Sequence, residues 1–202
     1  MTQPRLDRRV RRTRTAILHA LIGLMQEKGY DAVTVSDIID RADVGRSTFY
    51  THFTDKRDVL DESISGLGEF LRAHRDSSGG QLFGFSLAMF EHAHEQLPML
   101  RALLGRRGGA VVHDQVANLL TDLVREDLTV LTAGRTPVVP VELVVAGVVG
   151  AYLALIARWL DENEIHTPQQ MDAAFRRLVL PGVNAMLARA PQSDGGSRHA
   201  GG

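Results

Sequence analysis

Apolar residues recur at helical spacing along almost the whole chain, and this pattern constrains the fold more than any other feature. In residues 13–28, for example, Ile17, Leu21, Leu24 and Met25 fall near a period of 3.6 residues. No alternation of apolar and polar residues is long enough to predict a sheet. The sequence therefore predicts an all-α protein of about nine helices, with an N-terminal three-helix unit followed by a C-terminal helical bundle.

Capping and turn residues predict where the first helices begin and end. Gly29 is placed to end the first helix, and Thr34 with Asp37 approximates a capping box that starts the second. Residues 43–45 predict a tight turn before a third, short helix over residues 46–52.

The remaining helices are bounded in the same way. Thr54 is expected to cap the fourth helix, and Pro168 to lie in the first turn of the last. Pro181 lies inside that last helix and is expected to kink or shorten it. Further helices are predicted over residues 82–96, 99–104, 111–131, 142–160 and 168–189.

Composition limits the class of protein. The chain has no cysteine, which excludes disulfides and thiolate metal sites and agrees with a cytoplasmic location. The longest apolar segment, residues 138–160, is interrupted by Pro140, Glu142 and Arg158, so we expect no membrane span. No apolar segment directly follows the basic N-terminus, and no export signal is expected.

Positive charge is concentrated at the N-terminus. Residues 1–57 contain 11 Lys and Arg against 7 Asp and Glu, a net charge of +4, whereas the whole chain carries −1. Six arginines lie between residues 5 and 14. An arm over residues 1–11 could bind DNA phosphates, since phosphate neutralisation dominates DNA affinity. The alternative is a solvated, disordered tail, and composition leaves both open.

Residues 34–53 form the most informative segment, because two short helices joined by a tight turn have helix-turn-helix spacing. In that motif the second helix lies in the major groove of DNA. Val44, Phe49 and Phe53 are expected to anchor this helix. Its other side chains are hydrogen-bonding groups of suitable reach, namely Arg46, Ser47, Thr48, Tyr50, Thr51 and His52.

The segment from Val33 to Leu60 resembles the DNA-binding region of TetR-family regulators. The specific part is a Tyr-x-His-Phe-x-x-Lys string behind two matching helices, and the matching positions are Thr34, Ile38, Ala42, Val44, Thr48, Phe49, Tyr50, His52, Phe53, Lys56 and Leu60. Ile39, Gly45 and Ser47 depart from the family pattern, which affects the operator sequence but not the motif. The resemblance is specific over residues 11–60 and only architectural beyond.

The resemblance implies a homodimeric repressor that a small apolar effector releases from a palindromic double-stranded DNA operator. Thr34, Thr48, Tyr50, His52 and Lys56 would contact the DNA backbone. Arg46 is predicted to read a guanine, with Ser47 and Thr51 as the next candidates. The implied organisation is a DNA-binding domain over residues 1–56, a ligand-binding and dimerisation domain over 57–190, and a disordered tail over 191–202.

The Phe- and Met-rich stretch of the second half is the expected effector pocket, since such side chains form adaptable apolar walls. Ordinary core packing is the alternative. The predicted pocket residues are Phe83, Phe85, Met89, Phe90, His92, Met99, Leu103 and His113. His92 and His94 lie two apart on a helix and face opposite ways, so neither a metal site nor a cofactor is expected.

The last two long helices are predicted to form the dimer interface, because the segment over 142–160 is too apolar to face water alone. Burial within one subunit is the alternative. The predicted interface residues are Ala146, Gly150, Leu153, Ala154, Phe175, Leu178, Val179 and Met186.

Two other function classes are alternatives to the repressor. An effector-independent DNA-binding protein would share the helix-turn-helix but have no cavity in its body. A helical-bundle enzyme has little support, because the chain has no Gly-rich phosphate loop and no serine nucleophile motif. We therefore expect a protein that is not an enzyme.

Overall fold

The computed structural model describes residues 3–96, 110–134, 136–161 and 166–186, with the side chains of 3–7, 160 and 161 excepted. Within these ranges the chain is all-α, as predicted. Its eight helices there are α1 (Gln3–Lys28), α2 (Val35–Ala42), α3 (Arg46–His52), α4 (Lys56–Ser77), α5 (Ser86–Glu95), α6 (Ala110–Thr132), α7 (Val141–Asp161) and α8 (Pro168–Met186). The helix predicted over 99–104 and the tail over 191–202 lie outside the described residues.

Local signals set the ends of α1 and α2 as predicted. Gly29 has a φ of 77°, and its N–H donates to the carbonyl of Met25 at 3.0 Å, which ends α1. Thr34 and Asp37 form a complete capping box at the start of α2. The hydrogen bonds from Lys28 and then from Thr34 hold the pKa of Asp37 well below its usual range. Asp43 adopts a left-handed conformation in the turn to α3.

The predicted cap of α4 is wrong by one residue. The carboxylate of Asp55, not the hydroxyl of Thr54, accepts the backbone N–H groups of Arg57 and Asp58. A carboxylate accepts two such bonds and also interacts favourably with the positive end of the helix dipole, so it is the stronger cap. The N–H of Thr54 donates to Asp58 instead.

Two hydrophobic cores are joined through α4. The N-terminal core is built on Ile17, Leu21 and Phe49, and it includes Val59 from the first turns of α4. The second core lies in the body and includes Leu71 near the other end of α4. Because one continuous helix contributes to both cores, a displacement of α4 in the body must be felt in the N-terminal unit.

Helices α7 and α8 bear on two sequence expectations. The stretch Val141–Trp159 is long and apolar enough, by composition alone, to cross a membrane, although core helices pass the same test. Only 33% of that stretch is buried inside the chain, so much of its apolar surface faces outward. Helix α8 begins at Pro168 as predicted, and it continues past Pro181 to Met186, so that proline does not end it.

Candidate nucleic-acid interface and ligand cavity

Helix α3 separates an anchoring side from an exposed side. Phe49 is completely buried and Phe53 almost so, which fixes the helix on the N-terminal core. Tyr50 is 49% exposed, with its ring edge-on to Phe49 at a centroid distance of 5.4 Å. The guanidinium carbon of Arg46 lies 5.8 Å from the centre of the Tyr50 ring. Exposed hydrogen-bonding side chains therefore stand on a rigidly held helix.

The start of α3 lacks the usual side-chain cap. Gly45 occupies the cap position with φ −68° and ψ 147°, and no side chain accepts a hydrogen bond there. A Cβ at this position would lie 3.5 Å from the hydroxyl of Thr48, an ordinary contact. The backbone therefore does not require glycine, and the N–H groups of the first turn are open to an external acceptor such as phosphate.

The basic arm continues α1 as a helix and lies beside α3. Residues 3–11 are helical rather than disordered, so the tail alternative does not hold for them. Arg9 and Thr13 of α1 line a cleft of about 270 Å³ with Ser47, Thr51 and His52 of α3. The neighbouring Arg8, Arg11 and Arg12 are exposed. Positive charge is thus placed next to the hydrogen-bonding face of α3.

Lys56 has a different role from the predicted phosphate contact. Its ammonium group donates to the carbonyl oxygens of Tyr30 at 3.0 Å, Asp31 at 3.2 Å and Val33 at 2.9 Å. It also lies 4.5 Å from the centre of the Tyr30 ring. An ammonium has three donors, and all three are used. We therefore correct the prediction: Lys56 ties the start of α4 to the loop between α1 and α2.

A cavity of about 430 Å³ lies where α1, α4, α5 and α6 meet. This volume is within the range of sites that hold small molecules. Its described wall is mainly apolar. Helix α1 contributes His19, Leu21, Ile22 and Met25; α4 contributes Leu60, Ser63, Ile64, Gly66, Leu67 and Phe70; the body contributes Met89, His92, Gln96, Val112 and Val116.

Of the predicted pocket residues that the structure describes, Met89 and His92 line this cavity. Met99 and Leu103 lie outside the described residues. His113 is exposed and paired with Asp114, so its assignment to the pocket is wrong.

Three of the predicted pocket phenylalanines are core residues instead. Phe83, Phe85 and Phe90 are buried and do not line the cavity, so the core alternative is correct for them. Phe85 and Phe90 pack against Tyr152, whose ring centre lies 4.7 Å from that of Phe90 and whose hydroxyl donates to the carbonyl of Ser86. Phe83 packs against Phe85 and Phe175.

His92 is more deeply buried than His19, the other histidine that lines the cavity. Burial lowers its pKa, and the nearby carboxylate of Glu95 opposes that shift only in part. The imidazole is therefore neutral at pH 7, with one nitrogen able to donate and the other able to accept a hydrogen bond. Its ring lies 6.1 Å from that of Phe70 on α4.

The outer faces of α7 and α8 form a shallow apolar groove of about 350 Å³. Leu143 and Leu178 line it and are 65% and 64% exposed. The predicted interface residues Ala146, Gly150, Ala154 and Met186 are also exposed, and Leu153 is partly so. Together they present an unpartnered apolar surface.

Two predicted interface residues face inward instead. Phe175 is completely buried, with its ring centre 4.9 Å from that of Tyr152, and its assignment to the interface is wrong. Val179 is buried in the body core and only borders the groove. The ring of Phe175 also lies 6.1 Å from that of Phe83.

The sequence patterns did not predict that α1 and α4 line the cavity. A usable signal was present, because α1 carries Leu18, Leu21, Ile22 and Met25 on an apolar arc too wide for a single neighbour. Phe70, exposed and apolar on a helix, was a second signal.

The family comparison agrees with this arrangement. Residues 17–62, which hold α2, α3 and the start of α4, match the sequence model of bacterial regulatory proteins of the tetR family. The segment over residues 17–62 is thus a TetR-family DNA-binding region. In the described residues of this protein, no three or more His, Cys, Asp or Glu side chains are grouped to hold a metal ion.

Individual relatives are similar over different lengths. The HTH-type transcriptional regulator YxbF of Bacillus subtilis is 26% identical over 88% of this chain and 47% of its own length. The HTH-type transcriptional repressor KstR2 of Mycobacterium tuberculosis is 31% identical over 46% of this chain and 52% of its own. The chain thus spans about half the length of these curated relatives. A TetR transcriptional regulator from Streptococcus agalactiae has the same fold, with a TM-score of 0.67 at 24% identity over 86% of this chain and 96% of its own.

Proposed function

We propose that this TetR-family regulator is a homodimeric repressor that binds a palindromic operator and leaves it when a small, largely apolar effector binds in the body. The observation that carries the proposal is the cleft between α1 and α3, which combines exposed hydrogen-bonding side chains with arginines. In this arrangement α3 enters the major groove while α1 lies over the phosphate backbone. It acts by binding and not by turnover, in the cytoplasm.

Contacts on α3 divide into two kinds. Arg46 is exposed and reads a base edge, since its guanidinium can bridge the two acceptors of guanine, and Ser47 and Thr51 are the next candidates. Thr48, Tyr50 and His52 position the helix on the backbone. Thr34 joins them by exchanging the hydrogen bond that its hydroxyl donates to Asp37 in the free protein. The hydroxyl of Thr51 bonds to the carbonyl of Ser47 in the free protein, so this bond must be exchanged on base contact.

Two copies pair through the groove on α7 and α8. Exposed leucines, together with small residues such as Gly150 that allow close approach, suit a self-complementary four-helix interface. A two-fold axis through it gives two α3 helices related by symmetry, which is the property that matches a palindrome. Pairing also covers the apolar length of α7, so no membrane is required.

Effector release is carried by α4. Near its C-terminal end, Arg72 and Arg75 both donate to Glu126 on α6, and at its N-terminal end Lys56 holds the α1–α2 loop. A ligand that binds more tightly to the conformation with α4 displaced lowers DNA affinity. The decrease cannot exceed the ratio of the ligand's affinities for the displaced and undisplaced conformations. The KstR2 relative is a repressor by name, which supports the same direction of control here.

Selection of bound duplexes from a random pool tests the proposal. The wild-type chain is expected to enrich an inverted repeat whose half-sites lie about one helical turn apart, ~34–36 Å. Enrichment of nothing, or of unrelated sequences equally, contradicts sequence-specific repression. If the repeat is found but no compound from a ligand screen weakens its binding, the effector-independent alternative is correct.

A further inference from the structure

The cavity lies between the two hydrophobic cores, which gives it an unusual pair of walls. Ile22 and Met25 belong to α1, the helix that packs on α2 and carries the arginine arm. Met89 and Val116 belong to the body. A molecule in this cavity therefore touches α1 of the DNA-reading unit and the body at once, in addition to its contacts with α4.

Charge selects the class of molecule that fits. No described residue of the wall is Asp, Glu, Lys or Arg, so a formal charge on the ligand finds no permanently ionised partner among the described residues. Burying an unpaired ion is strongly unfavourable, whereas a neutral polar group needs only a hydrogen bond. The wall therefore favours an uncharged molecule with few polar atoms.

His92 supplies the polar contact. Its ring is tilted by 47° to that of Phe70, and it forms no hydrogen bond with any described residue. A hydroxyl, amine or carbonyl on the ligand can pair with either imidazole nitrogen.

We propose that the cavity binds an uncharged, mainly apolar molecule that packs directly against α1 and forms a hydrogen bond with His92. This inference rests on the proposed function, because it names the class of effector and where that effector acts. A ligand bound between α1 and the body shifts the arginine arm and α3 relative to the dimer axis.

A matched pair of fluorescent probes tests the charge preference. N-phenyl-1-naphthylamine is uncharged, and its 8-sulfonate is the same skeleton with one negative charge. The uncharged probe is expected to bind about tenfold or more tightly, because the sulfonate is unpaired in this wall. Equal or tighter binding of the sulfonate overturns the proposal.

Two lysine substitutions test whether the preference for the uncharged probe arises in this cavity. Ser63 lines the cavity, whereas Ser65 lies on the outer side of α4 and bonds back to Asp61. Ser63→Lys is expected to reduce the preference by about tenfold by supplying a charge partner, and Ser65→Lys to leave it unchanged. The same response from both variants contradicts the site.

His92→Leu tests the proposed hydrogen bond. This variant is expected to bind the uncharged probe about threefold to tenfold more weakly, and unchanged affinity contradicts the role of His92.

Hydrogen exchange of the wild-type protein decides the location even if Ser63→Lys fails to fold. The uncharged probe is expected to protect residues 19–25 of α1 together with α4. Protection confined to α7 and α8 means that the probe occupies the outer groove, and it overturns the proposal. Operator affinity is measured in the same samples. Unchanged affinity with the cavity occupied counts against effector release but leaves the ligand class intact.

Discussion

The ammonium nitrogen of Lys56 lies 2.9 Å from the carbonyl oxygen of Val33, and this contact ties the first turn of α4 to the loop that precedes α2. Two further carbonyls, of Tyr30 and Asp31, complete its hydrogen bonds. The helix that joins the two cores is thus held directly by the DNA-reading unit.

Replacing this lysine is expected to affect stability more than DNA binding. Lys56→Met removes three charge-assisted hydrogen bonds and leaves part-buried carbonyls without a donor, which costs about 2–3 kcal/mol of unfolding free energy. Urea denaturation measures this, with Arg57→Met as a control at an exposed neighbour. If Lys56 contacts phosphate instead, the variant keeps its stability and the salt dependence of operator binding becomes shallower.

Arg46 is expected to carry base discrimination. Arg46→Ala should reduce the preference for the selected operator over a variant with one changed guanine by about 1–3 kcal/mol. Arg46→Lys is the matched control: it keeps the charge but cannot form the same paired contact, so discrimination should fall there too. Competition binding with both duplexes gives the numbers. A uniform loss on all sequences would assign Arg46 to a phosphate.

Phosphate binding by the helical arm can be tested with two arginines that lie on opposite sides of one turn of α1. Arg9 faces α3 across the cleft, whereas Arg11 lies two residues on and points to the other side of α1. Arg9→Gln is expected to make the slope of log affinity against log salt shallower by about 0.9, the value for one phosphate contact. Arg11→Gln should leave the slope near that of the wild type. Equal changes for both would indicate diffuse attraction by the arm.

Dimerisation should depend on the α7–α8 groove. Leu178→Glu places a charge in the centre of the proposed interface and is expected to give monomers in analytical ultracentrifugation. Val130→Glu is the control, because Val130 is also an exposed apolar residue, at 79% exposure, but lies on α6 away from the groove. A dimer that survives Leu178→Glu places the interface elsewhere.

Acid should destabilise the fold through His92. Its pKa is lowered in the folded state, so around the ordinary value of 6.5 the unfolded chain binds more protons than the folded chain. The stabilisation is therefore complete above pH 6.5 and is lost as the pH falls below it. Glu95 on the same helix opposes the shift, and His19 faces the same cavity from α1. His92→Gln should show a smaller loss of unfolding free energy between pH 7.5 and 5.5 than the wild type, and an equal loss would contradict this account.

The sequence by itself determined the all-α class and most of the N-terminal unit. Gly29 and the Thr34–Asp37 capping box act within one turn of chain, so residues close in sequence decide their geometry. Phe49 is buried and Tyr50 exposed because successive residues on a helix face different sides, which periodicity also reveals.

Only the tertiary structure decided which partners the long-range groups have. Lys56 meets a carbonyl 26 positions away in sequence, which no local pattern indicates. Phe175, predicted for the interface, is a core residue because its ring packs against Phe83 and Tyr152. The cavity forms where four helices meet without filling the space between them. Periodicity shows that a helix face is apolar, but the packing of the helices decides whether that face meets a neighbour, a second copy or a ligand.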